Sequence, residues 1–113
     1  MNRRGEAAET LACEYLRSQG LFVTARNYRC RFGEIDIVAR EGRTLVFIEV
    51  RRRRTEAFGG AASSITRGKR LRLLTAARHY LGRFNAAPPC RFDALLISGE
   101  PARIEWIRNA FGE

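Results

Sequence analysis

Apolar residues recur at helical spacing in two segments, between Gly5 and Gly20 and from about Thr66 to Phe84. In each segment they fall three or four residues apart, which predicts a helix with one apolar face. Gly20 and the Pro88-Pro89 pair supply stop signals beyond these segments. The first apolar stripe comprises Ala8, Leu11, Ala12, Tyr15 and Leu16, and the second comprises Leu73, Leu74, Ala77, Tyr80, Leu81 and Phe84.

Shorter segments between and after the helices have the pattern of strands. Glu34–Arg40 alternates polar and apolar residues, as a half-buried strand does. Thr44–Val50 is apolar on both faces, which predicts a central strand. The other predicted strands are Leu21–Arg29, Phe92–Ser98 and Arg103–Arg108. The order α-β-β-β-α-β-β therefore predicts an α/β fold, a mixed sheet flanked by helices.

The chain has the size and composition of one globular domain. Its 113 residues, 45% of them hydrophobic, suffice for a single core over residues 1–113. No run approaches the ~18 apolar residues of a membrane span, and the N-terminus lacks the apolar segment of a signal peptide. We therefore expect a cytoplasmic protein with no membrane partner. Three cysteines and one histidine, without a CxxC pair, do not suit a structural zinc site.

The chain is strongly basic, with 21 Lys and Arg residues against 12 Asp and Glu and a net charge of +9. Such an excess on a small domain indicates a polyanionic partner, here DNA or RNA. Every basic residue except Lys69 is an arginine, whose forked guanidinium pairs well with phosphate. An arginine-biased genome would explain the choice of arginine but not the excess over acids.

Two basic segments are candidates for contact with a nucleic-acid backbone. Arg51–Ser64 lacks periodicity and contains Gly59-Gly60, which predicts a mobile basic loop. Lys69 and Arg70 lie at the start of the second predicted helix, where free backbone N–H groups favour a phosphate. In the loop, the residues expected to bind phosphates electrostatically are Arg52, Arg53 and Arg54.

Acidic side chains are predicted to meet on one face of the first hairpin. With Glu41-Gly42 as its turn, Asp36 lies opposite Phe47, and Glu49 is two residues further along the same face. Asp36 and Glu49 are then diagonal neighbours, roughly 7–8 Å apart. Carboxylates this close repel one another unless a cation joins them, and Mg²⁺ commonly binds through one or two carboxylates. Alternatively, Asp36 and Glu34 are solvent-side residues paired with arginines.

One acid of the first helix is placed to join this pair. Glu9 lies beside Ala12 and Leu16 at the edge of the apolar stripe, whereas Glu6 and Glu14 point away from it. Glu9 is therefore the helix acid best placed to reach the sheet.

Asp36, followed about a strand later by Glu49-Val50-Arg51, is similar to the PD-(D/E)xK nuclease signature, an acid and then acid-x-Lys on the next strand. This short pattern is weakly specific, but nearly the whole chain resembles the bacterial YraN-like family, which is similar in fold to archaeal Holliday-junction resolvases. The segments that carry the resemblance are Gly5-x3-Glu9-x2-Ala12-x2-Tyr15-Leu16, Arg26-Asn27-Tyr28-Arg29, Gly33-Glu34-Ile35-Asp36, Leu45-Val46-Phe47-Ile48-Glu49-Val50, Phe58-Gly59-Gly60, Arg91-Phe92-Asp93 and Asn109-Ala110-Phe111.

The resemblance implies a restriction-endonuclease-like sheet and a metal-dependent nuclease site. It expects a catalytic lysine at position 51, where this chain has arginine. Arginine keeps its proton in proteins, so Arg51 can supply charge but cannot act as a base. Arg53 or Lys69 could take over the role of that lysine. The remaining assignments are Glu9 as the helix acid, and Asp36 and Glu49 as ligands of Mg²⁺ or Mn²⁺.

Three functions are open at this point. The first is an endonuclease that uses Mg²⁺ to cleave branched or structured DNA. The resolvases it resembles act as dimers that cut two strands of a junction, and whether this chain forms a homodimer is open at this point. The second is a non-catalytic module that binds DNA or RNA, which the arginine at position 51 favours. The third is an assembly protein whose arginine run contacts an acidic protein partner.

Overall fold

The computed structural model describes residues 3–53 and 66–111. Within them the predicted order α-β-β-β-α-β-β is confirmed. None of the helices in these two ranges has the length and apolar character needed to cross a bilayer. The elements are α1 (Arg3–Ser18), β1 (Phe22–Cys30), β2 (Gly33–Glu41), β3 (Thr44–Arg53), α2 (Arg67–Leu81), β4 (Cys90–Ser98) and β5 (Arg103–Phe111).

The five strands form one mixed sheet in the order β1-β2-β3-β4-β5. Neighbouring strands are antiparallel except β3 and β4, which are parallel. A parallel pair needs a crossover connection, and the connection between β3 and β4 contains α2. The mixed sheet predicted from the strand pattern is therefore confirmed, and its one parallel pair lies where a helix separates two strands.

Each helix covers one face of the sheet, which gives two hydrophobic layers. The α1 layer packs Ala12 and Leu16 of the predicted stripe against Ile37 and Ile48. The α2 layer packs Leu73, Ala77 and Tyr80 against Phe47 and Phe92. Residues Leu45, Val46, Phe47 and Ile48 are all buried, so β3 is the central strand that its apolar run predicts.

The turn between β2 and β3 differs from the prediction by two residues of register. Glu41 pairs with Thr44, so the turn residues are Gly42 and Arg43 rather than Glu41 and Gly42. Gly42 has a φ of 62°, and a two-residue hairpin loop with glycine at its first position is a common solution. Because the shift is even, the side chains of the paired residues from Ile37 to Glu41 keep the predicted face, but Phe47 now lies opposite Val38 rather than Asp36.

The predicted basic loop also begins later than expected. Arg51, Arg52 and Arg53 continue β3, because they pair in parallel with Leu96, Ile97 and Ser98 of β4. The remainder of the predicted loop, from Arg54 to Ser64, lies outside the described residues.

The start of β2 is packed against α2 at Gly33. A Cβ added there would collide with the carbonyl oxygen of Arg72 and approach the backbone nitrogen of Ala76 to 2.9 Å. Only glycine allows so close an approach of strand and helix backbones. Gly33 therefore fixes the position of α2 relative to the β1–β2 hairpin.

We expect Gly33→Ala to lower the free energy of unfolding by about 1–3 kcal/mol or more, since backbone atoms must move to admit the methyl group. Gly68→Ala is the matched control, because a Cβ at Gly68 meets only the Thr66 hydroxyl at 4.0 Å. Within α2 this change should be neutral or stabilising by up to ~1 kcal/mol. Urea titrations of both variants measure the difference, and equal stabilities would contradict the close packing.

Candidate functional site

The pleat of the sheet inverts where Asn27 of β1 faces Asp36 of β2. Ile37 packs in the α1 layer, whereas Ile35, two residues earlier, packs in the α2 layer. Residues two apart on a regular strand share a face, so the chain changes face at Asp36. Asn27 has a φ of 53°, a left-handed conformation that asparagine tolerates better than most residues. The inversion directs Asp36 out of the regular alternation of β2.

Asp36 replaces a ladder hydrogen bond between β2 and β3. The paired register of these strands ends at Ile37 and Ile48. Beyond it, the Val50 N–H donates to Oδ2 of Asp36 at 2.9 Å. Continued by one residue, the register would place Asp36 directly opposite Glu49, and a hydrogen bond joins their two carboxyl groups. Asp36 and Glu49 are therefore in contact, closer than the diagonal arrangement predicted from the sequence.

Burial and mutual repulsion disfavour the charged forms of this carboxyl pair. The side chain of Glu49 is only 13% exposed. Burial, and then the charge of Asp36, raise the pKa of Glu49 to about 8. Burial also raises the pKa of Asp36, although the hydrogen bonds from Val50 and Glu49 oppose the shift. At neutral pH the pair therefore retains a proton unless a cation replaces it.

Lys69 brings a positive charge to the pair from the first turn of α2. Its Nζ lies 3.7 Å from Oε1 of Glu49. The charge of Lys69 lowers the pKa of both carboxyl groups, and the charge of Arg51 lowers that of Glu49, but neither effect outweighs burial. Thr66 caps the helix, and its hydroxyl accepts a hydrogen bond from the Lys69 N–H at 3.2 Å.

Glu9 lies beside the pair on the α1 side. It is buried, accepts a hydrogen bond from Asn27 Nδ2 at 2.8 Å and lies 3.9 Å from Arg26 Nη2. Burial, and then the charge of Asp36, raise the pKa of Glu9. In residues 3–53 and 66–111, however, no group of three His, Cys, Asp or Glu side chains converges closely enough to hold a metal ion. The charge of Asp36 thus acts on Glu9, but Glu9 does not join Asp36 and Glu49 in a three-acid cluster.

The donor set of this pair fits Mg²⁺ or Mn²⁺. Both ions prefer hard oxygen ligands, and Mg²⁺ usually binds through one or two carboxylates and completes its shell with water and phosphate oxygens. The buried, repelling carboxyls of Asp36 and Glu49 would gain from a divalent cation in place of the retained proton. The charges of Lys69 and Arg51 oppose such a cation but favour a phosphate beside it.

The predicted basic residues differ in burial and in the acids they face. Arg51 is half-buried on β3, and its charge acts on Glu49. Arg52 is exposed and lies 3.7 Å from Glu100. Arg70 is half-buried on α2. Arg53 ends β3, and Arg54 lies outside the described residues.

A second buried acid, Asp93, has a different environment. It is fully buried and accepts hydrogen bonds from Arg91 Nε, Trp106 Nε1 and the Asn109 N–H at 2.8–3.2 Å. Three N–H donors, one of them shared between both oxygens, satisfy this carboxylate, so it joins β4 to β5 as a structural residue. The sequence segments Arg91-Phe92-Asp93 and Asn109-Ala110-Phe111 thus belong to this structural network.

Sequence reasoning missed two residues that position the site, Asn27 and Thr66. Asn27 is the left-handed residue that inverts the pleat and binds Glu9. A single asparagine inside a strand pattern gives only a weak signal, since asparagine is common at positive φ. The signal for Thr66 was clearer, because a threonine just before a helical stripe predicts an N-cap. Its bonding partner, the Lys69 N–H, lies three residues later.

Comparison with known proteins gives one consistent family. The profile of the family described as "Uncharacterised protein family UPF0102" matches residues 8–97. A UPF0102 protein of Nitrosomonas europaea is 57% identical over 97% of this chain and 94% of its own length. UPF0102 proteins of Nitrosomonas eutropha and Methylobacillus flagellatus are each 56% identical, over 97% and 98% of this chain and 94% and 98% of their own lengths.

We expect the stability of the protein to fall from pH 5 to pH 8 in buffer without divalent cations. The raised pKa of Glu49 means that the folded state keeps a proton that the unfolded state has lost above its ordinary pKa of 4.5. The free energy of unfolding then decreases with pH until Glu49 titrates near pH 8. Glu49→Gln should remove most of this slope and stabilise the protein at pH 8 by roughly 2–4 kcal/mol.

Urea unfolding of both proteins across this pH range measures the effect. Glu14→Gln is the control, because Glu14 is an exposed acid of α1; this change should leave the slope unchanged. Parallel pH profiles for the parent and Glu49→Gln would contradict the raised pKa.

Proposed function

The chain belongs to the uncharacterised protein family UPF0102, which includes the YraN-like proteins that its sequence resembles, and we propose that it is a Mg²⁺-dependent endonuclease acting on branched or structured DNA. The observation that carries the proposal is the buried contact between Asp36 and Glu49, with the ammonium of Lys69 3.7 Å from Glu49. Two carboxyl groups beside fixed cations suit a metal ion and a phosphate together.

In the proposed site, Asp36 and Glu49 hold the metal ion. Oδ2 of Asp36 is oriented by the Val50 N–H, so the backbone of β3 fixes the direction of this carboxylate. A bound Mg²⁺ supplies Lewis-acid stabilisation of charge on the phosphoryl oxygens. Glu9 lies outside the pair and holds Asn27, the residue at which the pleat inverts.

The positive charge around the pair favours a nucleic-acid backbone as the substrate. The net charge of +9 attracts a polyanion over distances comparable to the Debye length of about 8–10 Å. Arg52, Arg53, Arg54 and Arg70 are the proposed phosphate contacts, and they would position the backbone without reading its sequence. Cleavage of both strands of a junction would use two copies of the site, hence a homodimer.

A second candidate keeps the nucleic-acid contacts without the chemistry. Position 51 carries arginine, whose planar fork approaches a single water less closely than a compact ammonium does. In that case the chain binds branched DNA or RNA and cleaves neither. Metal-dependent cleavage distinguishes this module from the endonuclease.

We expect the parent protein to cleave a labelled four-way junction with Mg²⁺ or Mn²⁺ under single-turnover conditions. Asp36→Asn and Glu49→Gln should each reduce cleavage by about 100-fold or more, because each removes a charged metal ligand. Both should also weaken Mn²⁺ binding at least about ten-fold in calorimetry, a loss of roughly 1.4 kcal/mol. Glu34→Gln, an exposed acid on the same strand, should retain both properties.

Metal binding that is unchanged in Asp36→Asn and Glu49→Gln would contradict the site. DNA binding by the parent without cleavage of junction, flap or single-stranded substrates would favour the non-catalytic module.

Replacing Arg52, Arg53 and Arg54 together by alanine should weaken DNA binding for all sequences alike. The dependence of log K on log salt should flatten by about 0.9 for each duplex-DNA phosphate that the variant no longer neutralises. A triple variant of Arg17, Arg40 and Arg43, all exposed, removes the same charge elsewhere and serves as the control. If the two triple variants have the same salt slope, the arginine run makes no specific phosphate contact.

A further inference from the structure

The ammonium of Lys69 lies beside the carboxyl pair, but it comes from α2 rather than from the strand on which the nuclease signature has its lysine. We propose that Lys69, from α2, is the catalytic lysine of this site, and that Arg51 binds phosphate instead. The inference rests on the proposed endonuclease function and names the residue that would contact the reacting phosphate.

The contact between Lys69 and the pair is the first support. Nζ of Lys69 lies 3.7 Å from Oε1 of Glu49, and the Lys69 side chain is only 33% exposed. Its charge acts on both Asp36 and Glu49. A cation held this close to Glu49 would adjoin a phosphate bound at the pair.

The chemistry of the side chain is the second support. Lys69 is the only lysine in a chain of 21 basic residues. An ammonium is a compact donor with three rotatable hydrogens, whereas a guanidinium is a broad fork suited to two phosphate oxygens. Arg51 follows two residues after Glu49 on β3, and its charge also acts on Glu49. The two cations thus reach Glu49 from different elements and are suited to different tasks.

The placement of the Lys69 backbone is the third support. The Thr66 hydroxyl, which caps α2, accepts its hydrogen bond from the Lys69 N–H itself. One turn later, the Arg72 carbonyl lies against Gly33, where no side chain would fit. The start of α2 is therefore held by its cap at the first turn and, one turn later, by β2, the strand that carries Asp36. Such anchoring fixes a functional side chain to within the small tolerance that catalysis needs.

In the proposed reaction, a water oxygen forms a bond to phosphorus while the bond from phosphorus to the leaving sugar oxygen breaks and its electron pair stays on that oxygen. The attacking water gives one proton to solvent, and the leaving oxygen takes one from solvent, so a phosphate monoester and an alcohol result. Lys69 remains an ammonium throughout. It donates hydrogen bonds to the attacking water and to a non-bridging phosphoryl oxygen as charge develops there.

The test compares Lys69→Ala with Arg67→Ala. Arg67 is an exposed cation in the same turn of α2. Replacing it removes the same charge from this turn but leaves the contact between Lys69 and Glu49 intact. Lys69→Ala should lower single-turnover cleavage of a four-way junction about 100-fold or more, while binding of the junction in Ca²⁺ changes less than about three-fold. Arg67→Ala should cleave within about two-fold of the parent.

Rescue by a small amine separates a chemical role from a structural one. Propylammonium should restore cleavage by Lys69→Ala at least about ten-fold and leave the parent and Arg67→Ala unchanged, since the added ammonium fills the vacated position. Lys69→Arg should remain impaired. Calorimetry adds a readout independent of cleavage: Mn²⁺ should bind Lys69→Ala about three-fold or more tightly, because a competing cation has left Glu49.

Cleavage by Lys69→Ala at the parental rate, or a loss that propylammonium does not restore, would overturn the inference while leaving the endonuclease intact. The inference would also be overturned if only Arg51→Ala lost cleavage and guanidinium restored it. If the parent neither cleaves nor binds Mn²⁺, the proposed function fails and this inference fails with it. If the parent binds Mn²⁺ without cleaving, unchanged affinity in Lys69→Ala overturns the inference.

Discussion

Two carboxyl groups in contact inside a protein require a proton, a metal ion or a fixed cation to compensate one of their charges. Asp36 and Glu49 are in this situation at the end of the paired region of β2 and β3. The surrounding structure supplies part of the compensation through the Val50 N–H and Lys69. The raised pKa of Glu49, to about 8, indicates that this compensation is incomplete. A further positive charge would therefore stabilise the pair, which is the basis of the proposed metal site.

The same backbone device appears twice in the sheet, with different results. Asn27 and Asn109 both have a φ of 53°, and each lies beside an aspartate that accepts a backbone N–H. At β4–β5, Asp93 receives additional donors from Arg91 and Trp106 and is satisfied within the fold. At β1–β2, Asp36 faces another acid instead. The supply of donors, rather than burial alone, distinguishes Asp93 from Asp36, the proposed metal ligand.

The order of the elements and the faces of the strands could be predicted from the sequence, because both depend on local periodicity. The apolar stripe from Leu11 to Leu16 and the apolar run around Phe47 are both buried in the core, so burial alone predicts that they pack against other elements. The position of the hairpin turn could not be predicted as firmly, since Gly42 suits either turn position and only the register of the full hairpin decides between them. Because the error was even, Asp36 and Glu49 were still predicted on one face.

The placement of Lys69 depends on contacts that the local sequence does not contain. A cation in the first turn of a helix is disfavoured by the helix dipole, so propensity alone gives no reason for it. The ion pair with Glu49, 20 positions earlier in the chain, and the fit of Gly33 against α2 supply that reason. The pleat inversion at Asn27 likewise becomes evident only when Ile35 and Ile37 are seen on opposite faces.

The parallel pairing of β3 with β4 has a consequence for the order of folding. Ile37 and Ile48 pair across a short turn, whereas Leu45 and Cys90 pair across a crossover that includes α2. The entropy cost of closing a loop rises with its length, so the hairpin should form before the crossover docks. During that interval Asp36 and Glu49 are brought together while Lys69 is still absent. Until α2 docks, only protons, dissolved cations and arginines of the hairpin itself, such as Arg51, can compensate the carboxyl pair.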